Sequence, residues 1–136
     1  WTPEGFTQRI LATNFLTYQT PGGHPSPPFS EYPSGHSSFS AAGAAILERF
    51  SGSNNFGASV SFEPGESRFE PGVTPSQSVT LTWDTFTYAA REAGVSRRYG
   101  GIHFTDGDLN GERLGQQVAE VTWQRTQDLI SGNTAS

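Results

Sequence analysis

Apolar residues recur along this chain with two periods, and the switches between them mark its elements. Phe39, Ala41, Ala42, Ala45, Ile46 and Phe50 repeat at helical spacing and the run closes at Ser51-Gly52, so a helix is predicted over 37–50. Its alanine-rich face permits close helix packing, and Gly43 points to a tight crossing. Phe86, Ala89, Ala90 and Ala93 share one face of a second helix, over 84–93, starting near Trp83 or Asp84 and ended by Gly94. Leu114, Val118 and Val121 stripe a third, over 109–130. Between the first two, Ala58–Phe62 and Ser78–Leu81 alternate as strands do, with Pro/Gly turns at 64–65 and 71–72, which predicts a β-hairpin. Trp1, Phe6, Ile10, Leu11, Phe15, Leu16 and Tyr18 fit one short packing helix around 7–17, and the tail 131–136 reads as frayed. The expected class is mainly α: part of a helical bundle with a small β-hairpin insertion.

Chemistry gathers in two stretches. The first, Glu31-Tyr-Pro-Ser-Gly-His-Ser-Ser38, follows a proline-rich segment, Thr20 to Phe29, that cannot be helical. It opens the first helix, so Ser34, Gly35 and His36 sit at a helix N-terminus. There, unpaired amides and the positive end of the helix dipole favour an oxyanion. The second runs from Glu92 to Asp108. Arg97 offers a permanently charged planar fork, His103 an imidazole able to ligate a metal or attack phosphorus, and Gly100-Gly101 a turn that returns His103 over Arg97. Taken singly, His36 reads as a helix cap and Arg97 with Asp108 as a surface ion pair. His24 reads as a loop histidine, and Arg98 as solvated or salt-bridged.

Composition narrows the partners. The 136 residues carry a net charge of −5, and all 8 strong bases are arginine, which argues against nucleic acid. No run is long enough to span a membrane, and the N-terminus does not read as a signal peptide. Only 33% of residues are hydrophobic, with 16 Gly and 9 Pro, so a large self-sufficient core is not expected. Cysteine and methionine are both absent, which excludes disulfides and thiolate metal sites and suits an oxidising environment, although a chain this short can lack both by sampling.

Pro33-Ser34-Gly35-His36 together with Ser96-Arg97, five residues, then His103 resemble the second and third motifs of the vanadium-dependent haloperoxidases and the related type 2 phosphatidic acid phosphatases. The resemblance covers roughly residues 20 to 121, and the text around the motifs looks more like the haloperoxidase branch. It implies vanadate as cofactor, ligated by His103, with Arg97, Ser34 and Gly35 holding its oxygens and His36 as the acid–base residue toward hydrogen peroxide. Halide would then be oxidised to hypohalous acid. Phe29, seven residues before His36, matches an aromatic typical of chloroperoxidases, although it reads equally as a wedge under the loop. The family pattern places an aspartate four residues after the ligand histidine. Here that position is Gly107, which leaves Asp106 or Asp108 to orient His103. The family's first motif, with a lysine and an arginine, has no counterpart. The expectation is therefore a single C-terminal portion, residues 1–136, inactive until an N-terminal chain or fragment supplies Lys and Arg. A higher oligomer remains open, and a secreted or periplasmic location is expected. Acid phosphatase chemistry, with His103 attacking phosphorus and His36 protonating the leaving group, is the alternative. A non-catalytic structural or assembly subunit is the third.

Overall fold

Ser34 turns the proline-rich approach into a helix. In the computed structural model, which describes residues 9–20 and 26–133, it holds extended backbone (φ −66°, ψ 119°) and caps α1, Gly35–Ser51. Gly52 ends α1 in the left-handed conformation (φ 71°) that glycine adopts without a Cβ clash. The predicted period change follows. Strands β1 (Asn55–Phe62) and β2 (Val79–Thr85) pair antiparallel, with a register shift between Asn55 and Ala58 where Gly57 takes a positive φ. The hairpin docks on the second helix through Phe56 and Phe86, whose ring centroids lie 5.1 Å apart, and through the Trp83 indole, which donates to Glu92.

Three boundaries differ from the sequence-based expectation. Trp83 and Asp84 belong to β2, because Thr85 is the residue that caps α2 (Phe86–Tyr99): its hydroxyl accepts the Tyr88 amide at 3.0 Å. Gly94 does not end α2; the helix runs through it, and Ser96 to Tyr99 form its last turn rather than the start of a new one. Helix α3 (Thr105–Ile130) begins four residues before Leu109. Of the helix expected around 7–17, the described part contains only one 3₁₀ turn, Ala12–Asn14. Its apolar residues find little to bury against, since Leu11 is 71% exposed. His24 lies outside the described residues.

The helices meet through small side chains. Helix α1 packs along α3 and against α2, with an Arg49–Glu120 ion pair at the far end of the α1–α3 contact. Gly107, Gly111, Gly115 and Ala119 recur every four residues along α3 and are all buried. A Cβ at Gly111 would come within 2.7 Å of the Ser34 carbonyl, and one at Gly115 within 3.0 Å of Ala41 Cβ and Ala42 N. This side-chain-free strip is what lets α1 come so close. The buried apolar residues among those described are four alanines (41, 44, 90 and 119), whereas the largest fully buried side chains are Asp108, Ser34 and Ser37. Large apolar side chains, Phe39 and Ile130 among them, face outward.

Candidate functional site

At the start of α1 the orphan amides divide into two pairs. Ser37 N donates to Ser34 Oγ at 3.3 Å and Ser38 N to the Ser34 carbonyl at 3.0 Å. The Gly35 and His36 amides have no partner among the described residues, as expected for the first positions of a helix. A Cβ at Gly35 would meet nothing within 4 Å, so the space beside Gly35 is open.

Ser34 Oγ caps the helix from inside. The Ser37 hydroxyl lies 2.8 Å from Ser34 Oγ and 2.6 Å from Asp108 Oδ1. It has one proton to give, and the carboxylate is the stronger acceptor. Ser37 therefore donates chiefly to Asp108, with Ser34 Oγ as its second acceptor. Ser34 Oγ, fully buried, accepts from the Ser37 amide and hydroxyl and so shapes the helix end.

The last turn of α2 carries two adjacent arginines that separate by about 100° around the helix. Arg98 faces Asp108, with Nη1 3.6 Å from Oδ2, so the carboxylate pairs with Arg98 and not with Arg97. Arg97 is half-buried, its Nε is fully shielded without a hydrogen-bond partner, and desolvation lowers its pKa. The Gly100-Gly101 turn then folds the chain back as expected: Gly101 takes φ 77° and Ile102 N bonds the Arg97 carbonyl at 3.2 Å. This places His103 beside Arg97.

His103 is buried, and its Nδ1 lies 2.7 Å from the main-chain oxygen of Glu31. A carbonyl can only accept, so Nδ1 carries the proton and the neutral ring presents a lone pair at Nε2. Nε2 is buried and unpartnered. Phe29 stacks on the imidazole, with centroids 5.8 Å apart and ring planes 16° from parallel. Neither aspartate proposed to orient the ring does so. Asp106 is exposed, and Asp108 is engaged by Ser37 and Arg98. Glu31 takes that role, and sequence reasoning missed it because it lies 72 residues from His103. His36 is exposed on the first turn of α1, with its pKa lowered first by desolvation and then by the charge of Arg97. The two motifs, about sixty residues apart in the chain, thus face one volume.

That volume suits a tetrahedral oxyanion. It presents two free helix amides, a guanidinium Nε–H without a partner and an imidazole lone pair, the donor set an oxyanion with an electrophilic centre requires. Among the described residues no group of three or more His, Asp or Glu side chains gathers as a chelate for a metal cation.

Comparison with solved structures gives the same direction. A holo-type bacterial vanadium-dependent chloroperoxidase is 28% identical with a TM-score of 0.70, over 87% of this chain and 24% of its own. The apo-type bacterial chloroperoxidase is 27% identical, also at 0.70, over 76% and 22%. A bacterial vanadium-dependent iodoperoxidase is 33% identical at 0.50, over 71% and 21%. The chain thus spans about a quarter of the length of these relatives. No curated protein matches it. Residues 1–132 match the VCPO second helical-bundle domain, and the chain belongs to that family.

Proposed function

We propose that this chain carries the anion-holding half of a site that uses vanadate and hydrogen peroxide to oxidise halide. The net reaction is H₂O₂ + X⁻ + H⁺ → HOX + H₂O. The observation that carries the reading is the pair of buried, unpartnered nitrogens, Arg97 Nε and His103 Nε2, beside an exposed histidine whose pKa is lowered by desolvation and by the Arg97 charge. Buried polar atoms in folded proteins are nearly always paired, so these two orphaned nitrogens support a ligand.

Vanadate, when bound, supplies a Lewis acid that activates peroxide toward halide without a change of metal oxidation state. The chain's own residues do the rest. His103 offers the Nε2 lone pair, held in that tautomer by the Glu31 carbonyl. Arg97 Nε–H and the Gly35 and His36 amides donate to oxyanion oxygens. His36, its pKa lowered, is neutral near pH 7 and can take a proton from peroxide. Phe29 shields one face of His103.

One guanidinium and a helix terminus under-neutralise a multiply charged oxyanion in a shielded site. The remaining cations, lysine among them, are proposed to come from another part of the same enzyme. The outward-facing apolar side chains support this: Phe39 is 83% exposed, Val121 71% and Ile130 75%, more than a chain packed only on itself leaves in water.

The test is halide-dependent bromination of a dione by the complete protein with vanadate and peroxide, and its loss in His103→Ala together with vanadate binding. Release of p-nitrophenol from its phosphate ester without halide oxidation would replace this reading with phosphatase chemistry in the same cradle. Activity in neither assay would leave a structural role.

A further inference from the structure

We propose that Glu31 is the positioning residue for His103, its carboxylate standing where a side chain at position 107 would otherwise reach. The proposal rests on the anion-site reading only for what the positioning achieves.

Phe104 is the N-cap of α3 (φ −92°, ψ 170°), and its side chain caps nothing. Thr105, Asp106 and Gly107 are then the first three helical positions. In a capping box the third of these carries a carboxylate that reaches back to the N-cap amide. Here it carries no side chain, and the acceptor comes from a distant segment: Glu31 Oε1 takes the Phe104 amide at 2.8 Å. The two alternatives exclude each other in space. A Cβ at Gly107 would run into Glu31 Oε1 and sit 2.9 Å from Glu31 Cδ and 3.0 Å from its carbonyl oxygen.

The same residue holds the ring. Its main-chain oxygen accepts the Nδ1 proton of His103 at 2.7 Å, with Oε1 3.8 Å from that nitrogen. Two oxygens of one residue thus grip the imidazole and the next amide along the chain, and the Ser34 amide closes the loop onto the Gly107 carbonyl at 2.9 Å. Without the carboxylate the Phe104 amide loses its acceptor, and residue 31 loses the tether that keeps its carbonyl under Nδ1. The ring is then free to rotate or exchange its tautomer, and the Nε2 lone pair is no longer aimed beside Arg97.

The complete protein is labelled with ¹⁵N-histidine and compared with Glu31→Ala, Glu31→Gln and Glu31→Ala/Gly107→Asp. Imidazole ¹⁵N shifts report the tautomer of His103, and vanadate titration reports affinity. Wild type shows a single Nδ1–H tautomer. Glu31→Ala shows a mixture and binds vanadate about 10- to 100-fold more weakly. Glu31→Gln, whose amide oxygen still accepts from Phe104, keeps the single tautomer. Glu31→Ala/Gly107→Asp recovers tautomer and affinity in part, because aspartate at 107 reaches the vacated place while its Cβ still lies 3.0 Å from the residue 31 carbonyl. An unchanged tautomer in Glu31→Ala, or a double variant no better than the single, overturns the proposal. If Glu31→Ala does not fold, recovery of folding and tautomer in the double variant supports the proposal, and its failure overturns it. If wild type binds no vanadate the anion reading fails, and the tautomer measurement still decides the role of Glu31.

Discussion

Replacing Ser37 by alanine should cost far more than the loss of one hydroxyl suggests. Asp108 is 1% exposed, and the 2.6 Å bond from Ser37 is its single close contact, since Arg98 stands 3.6 Å away on a partly exposed side chain. Removing the donor leaves a buried carboxylate oxygen with no compensation. A hydrogen bond to a charged group is worth about 1.5–3 kcal/mol, and an orphaned buried charge costs at least as much, so Ser37→Ala is expected to lose about 2–3 kcal/mol. Arg98, 3.6 Å from Oδ2 and 39% exposed, is too far for a hydrogen bond and partly screened, so Arg98→Ala is expected to lose less than Ser37→Ala. The hydroxyl, not the arginine, therefore holds Asp108. Chemical denaturation of the complete protein, read as a double-mutant cycle of Ser37→Ala with Asp108→Ala, should give a coupling of about 1.5–3 kcal/mol. Additivity within about 0.5 kcal/mol, or a larger loss in Arg98→Ala than in Ser37→Ala, would refute the reasoning.

Arg97→Ala removes the charge that helps lower the His36 pKa, so the His36 titration followed by NMR should move up; no movement would mean that the two do not share a volume. Folding lowers the His36 pKa below its unfolded value near 6.5, so the unfolded chain binds the proton more readily. Stability should therefore fall as pH drops through about 6.5 and level off only below the folded pKa. A melting-temperature series in wild type and His36→Gln checks this, the variant losing that slope. Gly115→Ala gains about 1 kcal/mol of helix propensity but drives a methyl into the Ser38 carbonyl and to 3.0 Å from Ala41 Cβ. Overpacking costs about 1–3 kcal/mol, so a net loss of stability is expected by denaturation, and a gain would mean that α1 can yield.

Periodicity found the elements because the helices and hairpin alternate their apolar residues regularly, and the pairing of two short motifs named His36, Arg97 and His103 as candidates. It failed where a tertiary contact overrides local preference. Gly94 and Gly107 look like breaks in a helix, yet both lie inside one, where a neighbouring side chain occupies the space their own would fill. Spacing gives no sign of the Ser37–Asp108 bond either, which spans 71 residues. Glu31 escaped notice for the same reason. One-dimensional spacing carries no sign of a carboxylate that caps a helix far along the chain. Asp106 and Asp108, near in sequence, were the visible choices.

Gly94 guards the order of two neighbours that a charge count cannot tell apart. It lies four residues before Arg98, on the same side of α2, and a methyl there would strike Asp108 and Ser37 Oγ. Were α2 to slide by one residue, Ala93 or Val95 would arrive at that spot and not fit. The jam makes the helix a keyed shaft: Arg98 can enter only toward the carboxylate, and Arg97 only toward the open volume. An insertion of one residue between Gly94 and Arg97 would keep every charge yet turn Arg97 toward the carboxylate, and a deletion would turn Arg98 toward the open volume.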